Sequence, residues 1–223
     1  RRILRMAFLA AVAAAGMVAV WRGTTPGFVV SGLAAFLLGL DVIEPLSQEV
    51  DRPDRTDALP TERGLLLARH LLVPALATLP FVVIGGAVAF ALEPHGMTVV
   101  AAVLVGIPAA LAGVCGAVIN AVRGAPDPLG DANAGLYMPP EMSGMGTVIR
   151  TAWPPFVSVL GSSPMAVLVR AHDNGENLPA VMLRTALGVG VLCFLVAGWV
   201  RQRDAIRQWF RNAQKMPSSG GNT

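Results

Sequence analysis

Charge is scarce in this 223-residue chain: Asp, Glu, Lys and Arg make up 14%, against 54% hydrophobic residues and a mean hydropathy of +0.60. So little polar surface cannot coat a soluble globule of this size, and lipid must cover the rest. Lysine is nearly missing, since of 17 basic residues only Lys215 is a lysine. The pI near 9.5 is therefore an arginine property. The arginines sit at the ends of apolar stretches, where they set topology and meet anionic headgroups rather than nucleic acid. Cysteine is limited to Cys115 and Cys193, both inside apolar stretches and without CxxC or metal-type spacing, so neither a disulfide nor zinc is implied.

Catalytic signatures are missing as well. There is no HExxH, no GxSxG, no P-loop and no pair of carboxylates at helical depth, so the chain is not expected to be an enzyme or to hydrolyse ATP itself. Gly161-Ser162-Ser163 has no histidine placed to activate a hydroxyl and reads instead as small residues around a kink at Pro164. Of the three histidines, His70 falls on one side of the membrane and His95 and His172 on the other, so they cannot share one haem or metal, and no metal or cofactor is expected in this chain. No Asp, Glu or Lys lies near the middle of a span, which removes the usual carrier of an ion or proton relay. Arg184, one helical turn into the last apolar stretch, is close enough to the interface to snorkel.

What remains is apolar length. A span needs about 20 mostly apolar residues, and six candidates occupy about 4–21, 28–43, 71–92, 97–122, 151–169 and 179–200. The stretches are too long and too little alternating for barrel strands, so the fold class is all-α: a polytopic membrane helix bundle of about six transmembrane helices in the plasma or inner membrane. Pro154, Pro155 and Pro164 make the fifth candidate the weakest, and Glu93-Pro94-His95-Gly96 makes the third and fourth a tight hairpin. Arg1, Arg2 and Arg5 at one end and Arg201, Arg203, Arg207 and Arg211 at the other belong on one side, which an even number of crossings satisfies. Both termini and the loops 44–69 and 123–150 are then cytoplasmic. Residues 130–146 read as a flexible loop, and residues 201–223 as an interfacial helix followed by a tail. Small residues recur at Gly85-Gly86, Gly106 with Ala110, Gly113 with Gly116 and Ala186 with Gly190, in the spacing of close helix contact.

The polar segment after the second span has two parts. Pro45 suits the first turn of a short helix that ends before Pro53, and Thr61 caps a new helix with Glu62 in its first turn. Asp41 and Glu44, three apart, share a face at the inner end of the second span and are expected to pair with Arg63 or Arg69.

The run Leu59-Pro60-Thr61-Glu62-Arg63-Gly64-Leu65-Leu66-Leu67-Ala68-Arg69 resembles the lead-in to the third span of ABC-2-type exporter permeases. That resemblance implies six spans, cytoplasmic termini and a coupling helix between spans two and three. Carried onto this chain, it places contact with a separate P-loop ATPase on Leu46, Ser47, Gln48, Glu49, Val50, Asp51 and Arg52. ATP and Mg would sit on that subunit, and the lipid-embedded bundle would work with a second permease half or a homodimer mate. The opening Arg1-Arg2-Ile3-Leu4-Arg5 has no initiator Met and is shorter than the amphipathic helix such permeases often begin with, which fits trimming or excision from a longer polypeptide. The expected function is a permease subunit for a hydrophobic or amphipathic cargo. A non-catalytic membrane scaffold is the alternative, and a lipid-acting membrane enzyme using Asp41, Glu44 or His70 comes third.

Overall fold

The computed structural model describes residues 1–44, 47–48, 69–123 and 140–215. Among these residues there is no strand, and the helices follow the apolar stretches closely. Helix α1 is Arg2–Trp21 and α2 is Gly27–Val42, followed by α3, Leu72–Leu92. Helix α4 comprises the α-helical Gly96–Ala101, a π-turn at Ala102–Gly106 and the α-helical Ile107–Arg123. Then come α5, Pro140–Ser162, α6, Pro164–Asp173, and α7, Leu178–Lys215.

Among the described residues, five segments are long and apolar enough to cross a membrane: Arg2–Trp21, Leu72–Leu92, Gly96–Val122, Thr151–Asp173 and Leu178–Gln202. The expected second span is a helix of only 16 residues, about 24 Å at 1.5 Å per residue, against a hydrocarbon core of about 30 Å.

Proline explains much of the local geometry. A proline ring clashes with the carbonyl four residues back and offers no N–H. At Pro108 that places the clash on Leu104, inside the segment that widens into the π-turn. At the start of a helix the missing N–H costs nothing, and Pro164 opens α6 immediately after α5 stops. The fifth candidate span is therefore a jointed pair, and Pro154 and Pro155 are carried inside α5. Pro140 likewise begins a helix, so residues 140–146 are helical and not the loop their Gly and Ser content suggests. Helix α7 continues without a break through Lys215, so no boundary falls at Arg201.

In lipid, helices gain little from hiding apolar surface against one another, and close backbone contact with interhelical hydrogen bonds takes over. Helix α2 lies against α1, α4 and α5 in this way. A Cβ on Gly39 would stand 2.7 Å from the Gly113 carbonyl oxygen, and one on Gly113 would stand 2.6 Å from that of Ala35. Gly16 approaches Gly27, and Gly116 approaches Pro154 and Ser158, equally tightly. The Gly113 and Gly116 pair noted in the sequence therefore serves two different neighbours. Ser31 donates to the Ala13 carbonyl at 2.9 Å, joining α2 to α1, and Ser158 donates to that of Ala112 at 3.3 Å, joining α5 to α4. Ile43, Val118, Val122 and Val200 fill one end of the bundle, and Val105, Leu168, Val181 and Met182 the other. Cys115 and Cys193 meet across α4 and α7, and Cys115 and Trp199 both pack against Ile119, Val157 and Val196. Outward faces such as Val83 on α3 and Phe194 on α7, 71% and 78% exposed, are apolar, as a lipid-facing surface requires.

Candidate functional site

Among the described residues, two polar clusters and the larger apolar cavity between them carry the chemistry. The first cluster lies where the start of α1 meets the end of α2. These helices are joined by the turn at Arg22–Pro26 and run antiparallel, which brings Arg2 and Arg5 beside Asp41 and Glu44. Arg5 grips Asp41 through both Nη2 and Nε, the Nε contact to Oδ2 being 2.8 Å. Arg2 pairs with Glu44 and donates to the Asp41 backbone carbonyl. That donation meets one of the carbonyls left open at the C-terminal end of α2, where positive charge is favourable.

The expected partners of the two acids are corrected accordingly: Arg2 and Arg5, not Arg69, which is exposed just before α3. Arg63 lies outside the described residues. Of the expected ATPase-contact residues, Ser47 and Gln48 are described and helical. Ser47 continues the line of α2, its N–H reaching the Ile43 carbonyl at 3.0 Å and its hydroxyl that of Glu44 at 2.8 Å. Leu46, Glu49, Val50, Asp51 and Arg52 lie outside the described residues.

The second cluster closes the opposite end. Arg22, just past α1, donates to the Leu92 carbonyl at the end of α3 and to Glu93 Oε2 from Nε at 3.3 Å and Nη2 at 3.1 Å. His95 Nδ1 stands 3.3 Å from Glu93 Oε1. The hairpin is held by the Glu93 backbone carbonyl, which accepts from the His95 N–H at 2.9 Å and from the Thr98 hydroxyl at 2.7 Å. Trp21 packs on His172 of α6, ring centroids 5.0 Å apart and inclined by 42°.

Between these clusters, and reaching the second at its mouth, is a half-open cavity of about 430 Å³ walled by α1, α2, α3, α4 and α6 with the start of α7. Its floor is Leu38, Thr78 and Phe81, its waist is Ala14, Gly86, Ala102 and Gly106, and its mouth is Trp21, Glu93, His95 and His172. Thr78 turns its hydroxyl to the Ala75 carbonyl at 2.7 Å, so the floor presents little polarity. The π-turn forms part of the waist. Widened turns of this kind are frequent at functional sites.

Sequence reasoning placed His95 and His172 on one side, and the structure brings both to this mouth, with His70 beyond the opposite end of α3. The cavity itself was missed. Its signal was Ala10, Ala13, Ala14 and Met17, a helical stripe of mostly small side chains, opposite Gly85, Gly86 and Ala89. In the Gly161-Ser162-Ser163 run, Ser163 donates to the Leu160 carbonyl at 2.7 Å, and Ser162 is fully buried.

No family model matches this chain, and neither a curated protein nor a solved structure does. The fold defines a membrane-type helix bundle with a half-open apolar cavity among its helices.

Proposed function

We propose that this chain is the membrane-spanning permease subunit, or one half, of an ATP-driven exporter in the plasma or inner membrane. In this reading it crosses six times, keeps both termini cytoplasmic, and works with a separate P-loop ATPase that carries ATP and Mg and with a second half or homodimer mate. The observation that carries the proposal is the apolar cavity of about 430 Å³. Protein interiors pack to crystal-like density, and a compartment of ligand size with a few polar groups gathered at one end is the usual form of a small-molecule site. A scaffold that only holds neighbours needs no such compartment.

The Arg2–Glu44 and Arg5–Asp41 pairs supply a route for force. They fasten the end of α2, where the 44–69 segment departs, to the start of α1, which forms one wall of the cavity. Closure of an ATPase against Leu46 to Arg52 would move α2 and α1 together and change the width of the compartment. A cargo held mainly by apolar walls fits a hydrophobic or amphipathic molecule better than an ion.

The test is a gentle-detergent pull-down of the full chain followed by mass spectrometry and ATPase assay. A P-loop ATPase should co-purify, and its stimulated hydrolysis should be lost when Leu46 to Val50 are replaced by alanine. A stable complex without any ATPase overturns the proposal and leaves the scaffold reading.

A further inference from the structure

The polar mouth of the cavity narrows the cargo to one chemical class. We infer that the compartment takes a cationic amphiphile, its apolar tail lying along the α1, α3 and α4 walls and its protonated amine held at Glu93. The inference rests on the reading of this cavity as a cargo site, although binding itself requires no ATPase.

Length comes first. From Thr78 at the floor to Glu93 at the mouth α3 climbs about 22 Å at 1.5 Å per residue. A slot of that length, with Ala14, Gly86 and Gly106 at its waist, suits an extended chain rather than a compact polycyclic body.

Charge comes second. Glu93 is the only Asp, Glu, Lys or Arg in the lining. Its partner Arg22 is absent from the lining, so the guanidinium reaches the carboxylate from outside the cavity. Arg22 fills Glu93 Oε2 with two donors, Nε and Nη2, and His95 stands on Oε1, so the position still open is on Oε1. A carboxylate has about four acceptor sites, which leaves room for an ammonium donor on the cavity side.

Trp21, packed on His172, lines the same mouth, and its indole adds an aromatic surface of the kind that attracts a cation. An anionic headgroup would face the Glu93 carboxylate and gain nothing from that ring. A neutral one would use only the hydrogen-bonding capacity of His95 and His172.

The experiment uses the full chain in phosphatidylcholine nanodiscs with Trp21 as the sole tryptophan, Trp153, Trp199 and Trp209 being replaced by phenylalanine. Three brominated probes of equal chain length are compared by quenching of Trp21: bromododecylamine, bromododecyl sulfate and bromododecanol. Quenching by the amine should saturate, with half-saturation at about fivefold lower concentration than for the other two, the size expected of one partly exposed charge pair. Glu93→Gln, which keeps shape and size, should erase that preference. A Cβ at Gly106 would have only Val82 Cγ1 near it, at 3.9 Å, so Gly106→Leu should fill the waist and abolish saturation for every probe; Ala89→Leu is a second plug on another helix.

Equal half-saturation for the three headgroups, or an amine preference that survives Glu93→Gln, overturns the inference. So does quenching that rises without saturation and ignores both plugs, which is partition into lipid alone. Loss of ATPase co-purification with amine binding intact would sink the exporter reading and spare this one; the reverse result would do the opposite.

Discussion

Asp41 and Arg5 form one ion pair in two different solvents: the carboxylate is 7% exposed and the guanidinium side chain 65%. Removing either end therefore has a different cost. Arg5→Ala strands a buried carboxylate and should destabilise the bundle by about 2–3 kcal/mol, less than the roughly 3–5 kcal/mol of a fully buried pair because its arginine end is solvated. Asp41→Ala leaves an arginine that water and headgroups can solvate, and should cost about 1 kcal/mol. Thermal melts of the two single variants and the double variant in nanodiscs check the order, and equal single costs would refute it. Sequence reasoning found these acids and their helical spacing but chose partners from the arginines that follow them. The true partners precede Asp41 by 36 residues or more, and proximity came from two antiparallel helices meeting at their ends. The shared placement of Arg2, Arg5 and Asp41 on one side was already available from the topology reading; which arginine reaches which acid depends on helix rotation.

Between helices the decisive quantity is how near two backbones come. A methyl group at Gly113 would stand 2.6 Å from the Ala35 carbonyl oxygen, whereas nothing lies within 4 Å of one at Gly188. Gly113→Ala should push α2 from α4 and cost about 1–3 kcal/mol, as overpacking does. Gly188→Ala should be neutral or stabilise by up to about 1 kcal/mol through helix propensity. Opposite shifts in melting temperature are the expected result, and matching shifts would show that the α2–α4 contact is looser than described. Apolar length and the short Glu93-to-Gly96 turn made these elements legible, since α1, α3 and α4 start or stop within a few residues of the expected limits. The cavity was not legible, because a small residue reads the same whether it touches backbone or borders a void. Gly39 does the first and Gly106 the second, and only the arrangement of other helices separates them.

For the molecule as a whole, the proposed orientation sets both the Arg5–Asp41 cluster and the tail on the cytoplasmic side and the Glu93 cluster outside. Single cysteines introduced at Asn174 and Gln202 in a Cys115→Ser, Cys193→Ser background should respond oppositely to an impermeant maleimide applied to intact cells: labelled at 174, protected at 202. Labelling at 202 would invert the bundle and remove the exporter proposal, because the 44–69 segment would face away from any ATPase. Helix α4 ties the two ends together, and its π-turn allows it to do so with unlike surfaces. One residue added to a helical turn rotates everything beyond it by about 100°. The wall of the void thus runs through the turn, from Ala101 before it, by Ala102 and Val105 within it, to Ala109 and Ala110 after it, and Gly113 and Gly116 further on lock into α2 and α5. An uninterrupted 3.6-residue register would swing Ala109 and Ala110 about 100° off the wall that Ala101 begins, so closing the turn would break the chamber's lining partway along the rod.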